Sequence, residues 1–405
     1  MLRKYAKKII KRLSSNNYHP LNHIVLNAQA MLHNVATIQK QHPGFEIIPV
    51  LKSNAYGHGL EQVAEILNDA DCNYLAVDGY FEAAKIKDIT KHHILVLGYI
   101  LPDNVPLLDI KRCSFVVQDA LAIQALGSLG RPVKIHIELN TGFNRLGLQA
   151  NEIPGYLEAL KKYPGLELEG VMSHLVDADN ELDDSFDVKQ QELFDDYIER
   201  IKNAGFNPKL IHIAQTAGSA KIKSKYANAI RLGIGTYGIN PLSPKDPHYS
   251  DLTKLQPVLE LKSTIIKVIE LKKGDKVSYN ATFTAPKDMR IGVLPLGYYE
   301  GVPRELSNKG IFTYGRKELP VVGRVCMNHT MVSLDKLDLK VGDQVTIISS
   351  DPKSPNSVLS MQAKLGLFSY TTVTKLSSSI RRQVIEKDIN HVGIQTPSNR
   401  GESKG

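Results

Sequence analysis

The sequence predicts an α/β chain: an N-terminal (β/α)8 barrel of the TIM type followed by a mostly β C-terminal domain. Three observations carry that expectation. Eight short apolar runs alternate with helix-period segments between Asn22 and about Asp251; beyond Leu252 the rhythm changes to strand after strand; and the Gly-Asp pairs 274–275 and 342–343 supply turn signals between those later strands.

In chain order the apolar runs occupy residues 47–50, 74–77, 94–97, 114–117, 133–139, 168–172, 210–213 and 229–231. Segments between them, such as 62–67 and 190–201, place apolar residues at helical spacing. Eight such units suit a closed barrel, in which polar residues directly after each strand gather at one mouth. Later runs at 264–271, 290–296, 319–326, 331–334 and 344–348 are β-branched and apolar and read as strands; 351–357 reads as a surface loop. The division expected is a basic extension over 1–21, the barrel over 22–251, the β domain over 252–390 and a disordered tail over 391–405.

The 405-residue chain has the composition of a soluble globular protein, 42% hydrophobic and 23% charged, and no apolar run approaches the roughly 18 residues of a membrane-spanning helix. Its net charge of +8 is unevenly spread, because residues 1–20 hold Arg3, Lys4, Lys7, Lys8, Lys11 and Arg12 and no acidic residue. The rest of the chain is nearly neutral, which disfavours a nucleic-acid partner. Leu2, Tyr5, Ile9 and Leu13 can share one face of a short amphipathic helix opposite those bases, without stable membrane insertion. Cys72, Cys113 and Cys326 are odd in number and far apart, so neither a disulfide framework nor a structural metal site is expected, and a cytoplasmic location is.

The first barrel run delivers Lys52-Ser53-Asn54-Ala55-Tyr56-Gly57-His58-Gly59 at its end. A strand-end lysine in a barrel mouth can have its pKa depressed by burial, which permits a Schiff base; alone it is more often solvated or ion-paired. The stretch resembles the pyridoxal-phosphate-lysine motif of the alanine racemases, K-x-N-A-Y-G-H-G. Further stretches resemble that family in order: Asn140-Thr141-Gly142 with Arg145 and Gly147; Ser173-His174; Ile211-His212; Arg231-Leu232-Gly233-Ile234 with Tyr237-Gly238; Val277-Ser278-Tyr279; and Gly323-Arg324-Val325-Cys326-Met327. The resemblance covers about residues 22–384.

It implies pyridoxal 5'-phosphate as cofactor, held covalently by Lys52, with Lys52 and Tyr279 as acid/base groups on opposite faces of the substrate. It places Tyr56, Thr216, Gly233, Ile234 and Tyr370 at the phosphate, and Arg231, oriented by His212, at the pyridine nitrogen. His174 would lie behind the tyrosine, Arg145 would reach the substrate carboxylate, and Tyr298 and Met327 would restrict the pocket to a methyl side chain. An arginine facing that nitrogen favours reprotonation at Cα over transfer to the cofactor. The implied activity is interconversion of L- and D-alanine, supplying D-alanine for peptidoglycan, by a head-to-tail homodimer in which Tyr279, Tyr298 and Met327 act in trans. A broader racemase acting on serine or lysine and a non-catalytic pyridoxal-phosphate carrier are the alternatives. The related basic amino-acid decarboxylases expect a cysteine-aspartate pair and a glycine-rich phosphate loop that the sequence lacks.

The sequence departs from the family at several points. Glu138 stands where most members have a lysine, often carbamylated; a glutamate supplies the anion directly, so Glu138 is expected to orient Arg145 without carbon dioxide. Gln215-Thr216 replaces Asn-Ser, Asn328 an aspartate, Thr371 a glutamate and Ser379 an arginine, with Arg382 retained.

Overall fold

A computed structural model describes residues 19–335 and 337–386. The expected amphipathic helix at the N-terminus and the tail over 391–405 lie outside the described residues. Two compact units divide the chain: one takes the residues up to Val25 with Glu260–Ser349 and Ser379–Gln383, and the other Leu26–Leu259 with Ser350–Ser378 and the segment from Val384.

After β1 (Asn22–Asn27), the larger unit carries eight parallel strands: β2 (Glu46–Pro49), β3 (Tyr74–Val77), β4 (His93–Val96), β5 (Cys113–Val117), β6 (Val133–Glu138), β7 (Leu166–Met172), β8 (Leu210–His212) and β9 (Ala229–Leu232). β3 to β8 pair in chain order and β2 pairs with β9. A parallel bridge between Val50 and Ala76 joins β2 to β3, and bonds from Asn228 N to Ile211 O (2.9 Å) and Arg231 N to Ala214 O (3.1 Å) join the β8 side to β9. The ring is thereby closed. These strands are nearly continuous in apolar residues because both faces are covered, the outer one by helices. Ile48, Val50, Ala76, Leu95, Val116, Met172, Leu210 and Ala229 form one buried cluster of the barrel.

The surrounding helices begin where the sequence caps them. Asn27 accepts from Ala30 N at 3.0 Å before Ala28–Gln41, and Asp119 from Ala122 N at 2.7 Å before Ala120–Gly127. Ser185–Asn203 realises the helical spacing of 190–201. Between β4 and β5 the connection is only a 3-10 segment, Pro102–Leu107, whose Pro102 and Pro106 disfavour an α-helix.

In the β-rich unit, β10 (Leu259–Thr264), β15 (Ile311–Tyr314), β16 (Lys317–Pro320), β18 (Gln344–Ile348) and β19 (Arg381–Ile385) join β1 in a six-stranded sheet of order β16-β15-β18-β10-β1-β19. β11 (Lys267–Leu271), β14 (Met289–Leu294) and β17 (Thr330–Ser333) form an antiparallel sheet, and β12 (Lys276–Val277) pairs with β13 (Phe283–Thr284). The expected single strand over 264–271 is thus two strands in different sheets. The run 319–326 leaves strand geometry after Pro320, where proline cannot donate and Gly323 takes a left-handed φ of 77°, so Arg324 to Met327 lie on a loop.

The stretch expected in the β domain over 350–378 holds two helices, Val358–Leu365 and Ser369–Thr374, and groups with the barrel. The reason is a close approach: a Cβ at Gly57 would collide with the Val373 carbonyl, so only glycine lets the second helix seat there.

Candidate active site

Lys52 follows β2 and opens a turn of unusual hand. Ser53, Asn54, Ala55 and Tyr56 have φ of 57°, 56°, 53° and 52°, and Gly57 continues at 81°. Left-handed helix costs L-residues roughly 1–2 kcal/mol each, so the surroundings must impose it. Ala55 N donates to Leu51 O (2.8 Å) and Gly59 N to Asn54 O (3.0 Å). The Asn54 side chain accepts from Leu60 N at 2.9 Å, and buried Glu82 accepts from Asn54 N (3.3 Å) and Asp78 N (3.0 Å). The turn sends Lys52 and Tyr56 to the same cavity, of about 380 Å³, which Asp78, Tyr99, Glu138, Arg145, His174, Gln215, Arg231 and Gly233 also line. Lys52 Nζ lies 3.9 Å from Asp78 Oδ1.

Arg231, buried at the end of β9, spends both terminal nitrogens on fixed acceptors. NH1 donates to His212 Nδ1 (2.7 Å) and His212 O (2.8 Å); NH2 donates to Ser173 O (2.7 Å), His174 Nδ1 (3.0 Å) and Ile213 O (3.2 Å). None of these bonds uses Nε. Burial lowers the Arg231 pKa to about 10, with Glu138 opposing that shift, so the group stays cationic at neutral pH. Burial and the Arg231 charge hold His212 and His174 well below the usual imidazole range. Both are neutral, and since each accepts on Nδ1, each carries its proton on Nε2.

Thr216 Oγ1 accepts from Gly235 N at 3.1 Å at the start of the 3-10 segment Ile234–Tyr237. The Tyr56 hydroxyl closes the same corner, and burial pushes its pKa up to about 12, so it is a neutral donor. A Cβ at Gly233 would come within 2.9 Å of that hydroxyl and 3.8 Å of Thr216 Oγ1. The Tyr370 ring lies 6.2 Å from the Tyr56 ring.

One expected contact is absent. Among the described residues no ion pair joins Glu138 to Arg145; the Arg145 guanidinium lies over the Phe143 ring, 4.2 Å from its centroid. Stacking on an aromatic face satisfies an exposed guanidinium without desolvating a carboxylate. Glu138 is 95% buried (5% exposed), and burial raises its pKa against the pull of Arg231 and Arg145 and a hydrogen bond from Gln118. Its link to the arginines is therefore field, not contact.

Tyr279, Tyr298 and Met327 belong to the β-rich unit, where one loop ties them together. Ser278 Oγ donates to Arg324 O at 2.7 Å, and Tyr298 N and Tyr299 N donate to Cys326 O and Met327 O, both at 3.0 Å. Ser278, Asn280 and Ala281 all have positive φ, so the backbone around Tyr279 is strained as at many functional sites. The three residues are 67%, 46% and 54% exposed. Asn328 donates to Glu300 Oε1 at 2.8 Å, a bond that an aspartate there would replace with repulsion.

Sequence reading missed two sets of polar groups: Asp78, just after β3, and buried Glu82, on the helix Tyr80–Ile86, beside the left-handed turn; and the inward His136 and Glu169 on strands β6 and β7 next to His212. A signal existed, since Lys134, His136 and Glu138 recur at period two in an otherwise apolar strand. Among the described residues no helix is long and apolar enough to cross a membrane, and no group of three or more His, Cys, Asp or Glu could hold a metal ion.

Comparison with known proteins agrees with this geometry. Residues 26–241 match the family described as alanine racemase, N-terminal domain, and residues 258–384 the alanine racemase, C-terminal domain. An alanine racemase of Francisella tularensis is 30% identical over 374 residues, 90% of this chain and 100% of that protein. The structure of the Bacillus anthracis alanine racemase with bound L-Ala-P is 29% identical and superposes with a TM-score of 0.82, covering 91% of this chain and 96% of that one. That of the Bartonella henselae alanine racemase with covalently bound pyridoxal phosphate has a TM-score of 0.78 at 22% identity, covering 91% of this chain and 100% of that one, a likeness of fold. With both halves matched in order and a relative covered from end to end, the chain belongs to the alanine racemase family.

Proposed function

We propose that this chain interconverts L- and D-alanine with pyridoxal 5'-phosphate, using Lys52 and Tyr279 as its two acid/base groups and supplying D-alanine for peptidoglycan. The observation that carries the reading is the cavity floor, an Arg231 fixed by five hydrogen bonds and kept cationic, with Lys52 on the wall above it. The cavity also fits the cofactor. The gap at Gly233, bounded by the Tyr56 and Thr216 hydroxyls and the start of the 3-10 segment, is a cradle that a Cβ would fill, and it suits a phosphate.

When bound, pyridoxal phosphate supplies an electron sink for the charge left at Cα when its proton is removed. The Lys52 amine would hold it covalently and, once the substrate amine takes its place, would take or return a proton on one face of Cα. The Tyr279 phenol does so on the other. Tyr56, Thr216, Gly233, Ile234 and Tyr370 hold the phosphate. Arg231, which keeps its own proton, would leave the ring nitrogen of the bound group unprotonated, a setting that would favour return of the proton to Cα. His212 and His174 fix the plane of that guanidinium, and Arg145 meets the substrate carboxylate. Tyr298 and Met327 limit the side chain to a methyl group, the feature that separates this reading from a serine or lysine racemase. The exposure of all three β-unit residues supports a head-to-tail dimer, in which they complete the barrel mouth of a second copy. The free cysteines suit a cytoplasmic enzyme.

The test is an absorbance scan of the purified protein followed by α-proton exchange of L- and D-alanine in deuterated water. A visible cofactor band and deuterium entering both enantiomers are expected; a band without exchange would establish the carrier instead. Gly233 has φ −82° and ψ −107°, outside the regions open to L-residues, so Gly233→Ala strains the backbone as well as narrowing the cradle. It is expected to weaken cofactor binding about tenfold or more in a titration of that band, by the combined cost of filling the cradle and straining its backbone.

Glu138→Gln separates stability from function. The folded state raises the pKa of this carboxyl, so stability falls as pH rises from the ordinary glutamate value through the raised one, and stays at the lower level above it. The amide removes that penalty. We expect an unchanged or higher melting temperature at neutral pH together with about a tenfold fall in kcat/KM, from loss of the field on Arg231 and Arg145; wild-type activity in this variant would exclude a role for the anion.

A further inference from the structure

Beneath the cavity floor the barrel interior is polar. Glu169, 1% exposed, sits where the β6/β7 register shifts between Ile135 and His136. Its carboxylate accepts from four donors: Lys134 Nζ (2.7 Å), Tyr74 OH (2.8 Å), Ser114 Oγ (2.5 Å) and His136 Nε2 (3.2 Å). His136 Nδ1 lies 2.9 Å from His212 Nε2, and His212 Nδ1 faces Arg231 NH1. His93 Nε2 approaches Ser114 Oγ at 2.9 Å from the far side. The ring of His136 lies across Gly170, where any Cβ would collide with it.

The donor and acceptor roles along this line admit one arrangement. Arg231 only donates, so His212 Nδ1 accepts and His212 Nε2 carries the proton; His136 Nδ1 then accepts and His136 Nε2 donates to Glu169, which when ionised only accepts. The charges agree. Burial alone would raise the Glu169 pKa, but the bonds from His136, Lys134, Ser114 and Tyr74 hold it well below the usual carboxylate range, while burial keeps His136 neutral despite that anion. A chain of bonds with one sense polarises each member in turn.

We propose that Glu169 and His136 are positioning residues for Arg231, fixing through a one-way line of hydrogen bonds the imidazole tautomer on which the guanidinium rests. The proposal depends on the reading of Arg231 as the group facing the bound cofactor. Glutamine at 169 would offer an amide donor where four donors already converge. His136 would then be free to exchange tautomers, and a proton on His212 Nδ1 would oppose Arg231 NH1 at 2.7 Å.

Long-range proton-nitrogen NMR of the full chain labelled at histidine nitrogen, with and without pyridoxal phosphate, reads the tautomers directly. In the wild type His136 and His212 should both carry the proton on Nε2 and fail to titrate from about pH 6 to about pH 9. In Glu169→Gln, with a native circular dichroism spectrum, His212 should show mixed tautomers. Its kcat should fall about tenfold or more, the consequence of an unsatisfied buried donor, with KM for alanine changed less than about twofold. Gly170→Ala, which pushes on the His136 ring, should act in the same direction if the glutamine variant fails to fold. Ser114→Ala, which spares the line, should keep the wild-type tautomers. Protonation of either ring on Nδ1 in the wild type, or unchanged His212 signals in Glu169→Gln and Gly170→Ala, would overturn the proposal. A wild type with the expected tautomers but no exchange of alanine would overturn the racemase reading and leave the line of bonds standing.

Discussion

Lys52→Ala is expected to abolish racemisation, by about 10⁴-fold or more, and to leave the fold intact. The magnitude follows from two losses in one residue, the covalent hold on the cofactor and one of the two proton carriers, and groups that act as a unit are not compensated by the remainder. Folding should survive because the side chain contributes little to the core: it is 38% exposed and the side chain of its ion partner Asp78 is 60% exposed, a pair worth at most a small surface contribution. The backbone bonds that hold the left-handed turn use Ser53, Asn54 and Ala55, not the lysine side chain. The checks are kcat in both directions, the visible band, and the melting temperature. A Lys52→Ala enzyme that racemises within tenfold of wild type would remove this residue from the mechanism.

Tyr279→Phe is the second large effect, and it should be asymmetric. Removing one proton carrier of two costs about 10²–10⁴-fold in the overall reaction, yet the lysine face remains. Solvent deuterium should therefore still enter Cα from one enantiomer, without inversion. If Tyr279 serves a second copy's barrel, mixing dissociated and reassociated Lys52→Ala and Tyr279→Phe proteins pairs an intact lysine with an intact tyrosine in one site of each mixed dimer. Statistical reassociation would restore about a quarter of the sites. A mixture as inactive as its components would place both residues in the same chain's site. Equal loss of exchange for both enantiomers in Tyr279→Phe would contradict the assignment of opposite faces.

Much of the fold was legible because both periodicities are strong. Buried parallel strands write themselves as apolar runs, and all eight barrel runs became strands within a residue or two of their limits. The β-rich unit was harder. A continuous apolar stretch such as 264–271 does not reveal that Ile265 and Ile266 hand the chain from one sheet to another, because side-chain alternation survives the change of partner. The helix Ser369–Thr374 went to the barrel for a reason no local pattern carries, the absence of a Cβ at Gly57.

The site divides in the same way. Motif residues such as Lys52, His174 and Arg231 were visible from resemblance, and the barrel gathers them. The stacking of Arg145 on Phe143 was not visible, since electrostatic reasoning assigns a guanidinium to the nearest anion and overlooks the lower desolvation cost of an aromatic face. Nor was the line from Arg231 to Glu169, which runs across β9, β8, β6 and β7 and so joins residues with no local relation in sequence.

The turn that follows Lys52 inverts the ordinary rule of substitution. Glycine usually loosens a chain and β-branched residues stiffen it, but at Ser53 and Ala55 the native φ is one that glycine reaches freely and valine or isoleucine hardly at all. Replacement of either residue by a β-branched one is thus opposed by the backbone alone, whether or not the side chain touches substrate. The lysine inherits the result: its α-carbon is anchored by a segment with almost no alternative conformation, and the travel its amine needs must come from rotation about its own side-chain bonds.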